Sequence, residues 1–263
     1  MLSYQHGFHA GNRADVLKHA VLDVVLRDLA DSGKPIFHVE THAGRSIYDL
    51  NGAQSRKTGE ADDGVLALFR EESEPAELGE WLDLMRQQGK RAYPGSPKLA
   101  ALRLGDTARF ALFEKHPAEH KALTEAFADD ERVLIRKADG YSGALKLQPR
   151  RGEQMLVFSD PSYETMADME ALADWTPRAL ARWPNAIVAV WLPLFKDERE
   201  AEFGAFLSNL ENGIVTGAHW PAPDDKDTAL AGSALIAFRV PKHVSRAASA
   251  VAASLNTLWM GDN

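Results

Sequence analysis

From residue 93 onward the chain alternates short β-rich runs with helical patterns, and this alternation restricts its fold more than any other feature. Candidate strands fall at 109–113, 132–136, 154–159, 186–192, 213–220 and 233–240. An earlier run at 36–41, in "KPIFHVETHAG", ends in a small-residue loop. Parallel strands need long crossovers, most often helices, so this spacing predicts an α/β fold with a mainly parallel sheet and helices on both faces. The last two runs have no convincing helix between them and are expected to form an antiparallel pair at one edge.

Residues 12–32 place Val16, Leu17, Val21, Val24, Val25 and Leu29 at helical spacing behind a candidate Asn12 cap, which reads as an amphipathic helix. Residues 49–95 differ from the rest. They are polar, acidic and helical near 59–70 and 76–88, with no clear strand. The expected organisation is one main domain built from 1–48 and 93–263, with an inserted helical subdomain at 49–92.

The chain contains no cysteine, which removes disulfides, thiolate nucleophiles and thiolate metal sites together. No stretch approaches the roughly 18 apolar residues of a membrane span, and the first 20 residues lack a signal-peptide core, so a cytoplasmic protein without a membrane partner is expected. A formal net charge of -8 argues against general affinity for nucleic acid, because phosphate contacts come mainly from lysine and arginine. Local charge is a separate matter. Arg56-Lys57, Lys90-Arg91 and Arg150-Arg151, with Arg13 and Lys18, leave a basic patch and scattered solvated charges as open alternatives. His6, His9, His19, His38 and His42 raise the question of zinc, with His38 and His42 on one face of an extended run. Without cysteines or a His-Glu-x-x-His helix, ordinary hydrogen-bonded histidines and no metal are expected. Trp81, Trp175, Trp183, Trp191 and Trp220 are dispersed, as packing residues are.

In an open α/β sheet, ligands bind outside the carboxyl ends of the strands. The residues there are Thr41, His42, Ala43 and Gly44 after the first run, Glu114 after the second, Asp139-Gly140 after the third and Asp160-Pro161-Ser162-Tyr163 after the fourth. Glu114 is placed to accept hydrogen bonds from ribose hydroxyls, and Asp139 to receive an adenine amine, with Gly140 permitting close approach. "THAGRS" lacks the Gly-x-Gly-x-x-Gly pattern that cradles a pyrophosphate. That disfavours a dinucleotide and favours a nucleoside ligand such as S-adenosylmethionine.

"DPSY" resembles the Asp-Pro-Pro-Tyr motif of methyltransferases that act on exocyclic amines. The opening "MLSYQHGFHAGNRADVLKHAVL" is similar to the start of the RlmJ family, which methylates N6 of an adenine in 23S ribosomal RNA. "THAG", "YPGSP", "FEKHP", "ADGY" and "DPSYE" follow in the family's order with similar spacing. The resemblance implies a Rossmann-like class I methyltransferase with a helical insertion, using S-adenosylmethionine and releasing S-adenosylhomocysteine. It implies that Lys18, His19 and His42 line the cofactor pocket near its methionine end, with Ser96 adding a polar contact. Glu114 would hold the ribose, Asp139-Gly140 the adenine, and Asp160 would serve both cofactor and catalysis. Tyr4 would approach the RNA. Ser162 departs from the family's second proline, and "THAGRS" from a more glycine-rich loop.

The N6 lone pair of adenine is delocalised into the ring, so the amine needs acceptors that draw it towards tetrahedral geometry. In the expected chemistry Asp160 and the Pro161 carbonyl accept the two N6 hydrogens, and Tyr163 stacks on the base. The expected protein is a monomer acting on 23S ribosomal RNA. Rival readings are an amino-methyltransferase of the same fold acting on DNA adenine or protein glutamine, and a non-catalytic RNA-binding assembly factor.

Overall fold

The densest runs of Val, Ile, Leu and Phe become the centre of a seven-stranded sheet in this computed structural model, which describes residues 5–71, 73–89, 91–223 and 229–261. Tyr4 and Lys90 lie outside the described residues. β1 (Ile36–Glu40), β4 (Arg109–Phe113), β5 (Val133–Arg136), β6 (Gln154–Ser159) and β7 (Ile187–Phe195) run parallel, in the order β5-β4-β1-β6-β7. β1 and β6 sit centrally and are buried almost throughout, as strands covered on both faces must be. The sheet closes with β9 (Leu230–Phe238), antiparallel to β7, and β8 (Ile214–His219), antiparallel to β9, at the outer edge. This is the mainly parallel, doubly covered sheet with an antiparallel edge pair that the alternation predicted.

α1 (Arg13–Asp31) starts where expected, with the Asn12 side chain accepting the Asp15 amide at 2.9 Å. It is more enclosed than an amphipathic surface helix. Residues 14–26 are all buried, Asp15, Lys18, His19 and Asp23 included, because α1 is packed between β9, α6 (Ser96–Leu104) and α11 (Lys242–Met260). α7 (Pro117–Ala126) contributes Leu123 to this same layer. On the other face, α8 (Gly140–Ala144), α9 (Met166–Arg182) and α10 (Ala201–Asn209) supply Ala144, Trp175 and Leu207 to a second apolar layer.

The stretch 49–95 contains short helices: α2 (Ala53–Thr58), α3 (Glu60–Asp63), α4 (Val65–Leu68) and α5 (Gly79–Gln87). A short ribbon at its two ends is what the sequence reading missed. β2 (Ile47–Asp49) and β3 (Ala92–Pro94) pair antiparallel and bring the two ends of the insertion together. Val65, Leu68, Trp81 and Leu82 from this stretch share one apolar cluster with Val21 and Leu22 of α1. Fully burying side chains of this size contributes about 1.5–3 kcal/mol each, so the insertion braces the helix that carries Lys18.

Candidate active site

Because β1, β4, β5 and β6 are adjacent and parallel, the segments that follow them meet at one edge of the sheet. A cavity of about 410 Å³ lies there. Lys18 and His19 of α1, His42 of the loop after β1, and Ser96 at the start of α6 line it. So do Glu114, Asp139, Gly140, Asp160, Pro161, Ser162 and Tyr163, with Trp191 of β7. The structure thus gathers the sequence-derived candidates among its described residues around a single space.

The loop after β1 is tightly held. Gly44 has φ +63, a conformation that suits glycine, and a Cβ there would stand 2.5 Å from the Tyr48 hydroxyl. Its amide donates to Glu114 Oε2 at 2.8 Å, and the His116 amide donates to Oε1 at 2.6 Å. Burial raises the Glu114 carboxyl, against the lowering effect of those two amides. Asp139 caps α8 by accepting the Ser142 amide at 2.8 Å. The missing Cβ of Gly140 makes room for the Thr41 carbonyl, so this glycine brings two loops of the protein together.

Asp160 belongs to a buried charge cluster. Lys18 Nζ lies 2.6 Å from Asp160 Oδ2 and 2.8 Å from Asp15 Oδ1. Asp15 Oδ2 in turn accepts from His6 Nε2 and the Gly11 amide, both at 2.9 Å. Burial pushes the Asp160 carboxyl up, while Lys18 and His6 pull it down. Burial alone would lower Lys18, but Asp15 and Asp160 more than offset it and hold the ammonium above its ordinary range. Among the described residues no donor is bonded to Asp160 Oδ1. Beside this cluster, Lys18 Nζ is 5.1 Å from the centre of the Trp191 ring. Tyr163 tilts against the same ring, centroids 5.4 Å apart, and donates its hydroxyl to the Trp191 carbonyl.

The histidines have local partners. His19 Nδ1 and the Tyr93 hydroxyl are 2.8 Å apart, His42 Nδ1 and Thr41 Oγ1 are 2.9 Å apart, and His9 meets Glu60. Burial pulls His42 down to about 4 and His19 to about 3, so both are neutral at pH 7. β1 ends at Glu40, which places His42 in the loop and leaves His38 alone on the strand face. His38 Nε2 donates to Glu40 Oε1 at 2.7 Å, and Ser96 Oγ donates to Glu40 Oε2 at 2.6 Å.

Among the described residues, the basic pairs Arg56-Lys57 and Arg150-Arg151 lie in different places. Lys18 is 2 % exposed and ion-paired, hence unavailable to phosphates. Arg56 and Lys57 sit on α2 beside the N-terminal segment, whereas Arg150-Arg151 precede β6 at the opposite end of the sheet. Asp15, Asp168 and Trp191 are among the cavity-lining residues that sequence reasoning missed. Asp15 carries a usable signal: it shares a helix face with Lys18 at i,i+3 spacing in the first turns of α1. Trp191 carries none, since an aromatic within a strand-forming run reads as packing.

Comparisons with known proteins identify the family. Residues 33–261 match the family described as ribosomal RNA large subunit methyltransferase D, RlmJ. The chain is 34% identical over 198 residues to ribosomal RNA large subunit methyltransferase J of Escherichia coli strain K12, covering 74% of this chain and 71% of the relative. The protein of the same name from Haemophilus influenzae is 34% identical over 199 residues, with the same coverage of 74% and 71%. A crystal structure of a Legionella pneumophila protein superposes with a TM-score of 0.83 at 28% identity, covering 95% of this chain and 93% of that one. With a family match across most of its length and relatives of this similarity, the chain belongs to the RlmJ family of ribosomal RNA large subunit methyltransferases.

Proposed function

We propose that this chain methylates the exocyclic N6 of an adenine in 23S ribosomal RNA, with Asp160 receiving the N6 hydrogen. The observation that carries the reading is the Asp160 carboxylate: Oδ2 is tied to Lys18 at 2.6 Å, Oδ1 is left without a donor among the described residues, and both belong to a residue lining the cavity. Such a group can accept one N6 hydrogen, orient the nitrogen lone pair, and take up the proton as the C–N bond forms. The Pro161 carbonyl would accept the second hydrogen, with proline limiting the backbone that aims it. Tyr163, an aromatic neighbour of Asp160, would leave Trp191 and stack on the target base, an interaction worth about 1–3 kcal/mol. Tyr4 would approach the RNA.

The methyl donor is S-adenosylmethionine, which supplies a methyl group activated by its positively charged sulfur. The residues present fit it. A cavity of about 410 Å³ is in the range of ligand sites, and its wall carries Glu114, Asp139, Asp160 and Asp168, suited to a cationic ligand. Glu114 would take the ribose, Asp139-Gly140 the adenine, and Lys18, His19, His42 and Ser96 the methionine end. The neutral state of His19 and His42 avoids repulsion with the sulfonium. The reading further assigns 49–92 to an inserted subdomain and the activity to a cytoplasmic monomer, in keeping with a ribosomal RNA substrate. Among the described residues no helix is long and apolar enough to cross a membrane.

The test is Asp160→Asn, which keeps shape and removes charge. Turnover on unmodified 23S RNA, measured at saturating S-adenosylmethionine, should fall by about two to four orders of magnitude. Unchanged turnover would remove Asp160 from the chemistry.

A further inference from the structure

Asp15 has no part in the reaction described above, yet three donors from different parts of the N-terminal region converge on it. His6 Nε2 and the Gly11 amide reach Oδ2 at 2.9 Å, and Lys18 Nζ reaches Oδ1 at 2.8 Å. The side chain is buried, with the residue 1% exposed. Lys18 then continues to Asp160 Oδ2 at 2.6 Å. A continuous line of charged contacts therefore runs from the N-terminal segment through Asp15 and Lys18 to the loop after β6.

A buried ammonium facing one carboxylate pairs with it as closely as geometry allows, because little else solvates either charge. Two carboxylates divide the ammonium. Each is then held at a defined oxygen and neither is fully neutralised, so a carboxylate in the pair keeps capacity to accept another hydrogen. Lys18 is shared in this way, and its Nζ lies over the Trp191 ring, 5.1 Å from the ring centre.

We propose that Asp15 is a positioning residue for methyl transfer: by sharing the Lys18 ammonium it fixes which oxygen of Asp160 is left for the substrate amine. The inference rests on the reading of Asp160 as the acceptor of the N6 hydrogen. Without the Asp15 charge, Lys18 pairs wholly with Asp160, and the catalytic carboxylate is both redirected and made a weaker base. His6 and Gly11 link this effect to the seating of the N-terminal segment.

A double-mutant cycle on the full chain tests it, with turnover on unmodified 23S RNA and S-adenosylmethionine binding measured for Asp15→Asn, Lys18→Met, the double variant and Asp160→Ala. Asp15→Asn should lower kcat by about tenfold to a hundredfold, the size of loss expected when a reacting group is misplaced by about an ångström. Cofactor affinity should stay within about threefold. Because Asp15 acts through Lys18, the double variant should match Lys18→Met alone to within about threefold. Should Asp15→Asn fail to fold, that last comparison still decides, since the double variant removes both buried charges together. Wild-type kcat in Asp15→Asn, or a double variant whose loss is the product of the two single losses, would overturn the inference. An active Asp160→Ala would instead overturn the reading beneath it, so the two failures are told apart.

Discussion

Gly140→Ala is a one-carbon change whose consequence can be worked out from the backbone. The new Cβ would stand 1.8 Å from the Thr41 carbonyl oxygen, 2.5 Å from its carbon and 2.7 Å from its Cα. Contacts under 3.0 Å are essentially unknown for real Cβ atoms, so the two segments must separate by about 1.2 Å. All three neighbours are backbone atoms, and no rotamer change can relieve them. Overpacking of this kind costs about 1–3 kcal/mol, or roughly 2–12 °C in Tm for a chain of this size. The displaced pieces are the loop containing His42 and the Asp139 cap, both lining the cavity. S-Adenosylmethionine binding, followed by calorimetry, should therefore weaken by about tenfold or more. Gly79→Ala is the control, because nothing lies within 4 Å of its Cβ and it sits in α5. That variant should keep wild-type binding and gain up to about 1 kcal/mol from helix propensity. If Gly140→Ala binds and melts like Gly79→Ala, the contact between the two loops does not shape the site.

Two further predictions concern buried polar groups. Burial holds His19 at about 3 and His42 at about 4, below the roughly 6.5 of an unfolded chain, so the unfolded state binds more protons as pH falls. Their contribution is complete above about pH 6.5 and is lost towards those lower values. Urea titrations should show each imidazole removing about 1 kcal/mol between pH 7 and 5.5, and His19→Gln should flatten the curve over that window; an unflattened curve would contradict its neutral burial. Ser96→Ala strips a 2.6 Å hydrogen bond from Glu40, a fully buried carboxylate, and should cost about 1–3 kcal/mol in thermal denaturation. An unchanged Tm would show that another donor replaces it.

The sheet was legible because its strands coincide with apolar runs, and those runs stop where Glu114 and Asp160 begin, with Asp139 three residues after the end of β5. A carboxylate directly after such a run can be placed at the sheet edge without knowing which strands are neighbours. The β2–β3 ribbon was not legible, since Ile47–Asp49 and Ala92–Pro94 are too short to show a period and pair across the whole insertion. The break between α3 and α4 at Gly64 (φ -102, ψ -119) likewise follows from local backbone geometry that composition does not encode. Lys18, expected both at the cofactor pocket and among the basic residues of a candidate patch, lines the cavity. Only the packing of α1 between β9, α6 and α11 reveals it as a buried ion-pair centre with Asp15. Trp191 was assigned to packing for the same reason: its neighbours Lys18 and Tyr163 are remote in sequence.

The central claim is that Asp160 promotes methylation of an adenine amine in ribosomal RNA. Its most direct test is transfer of a labelled methyl group from S-adenosylmethionine to unmodified 23S RNA, by the wild-type chain and by Asp160→Ala, with the product digested to nucleosides. The account predicts label in N6-methyladenosine, reduced by about two to four orders of magnitude in the variant. Label in a different nucleoside, or an Asp160→Ala variant as active as wild type, would contradict it.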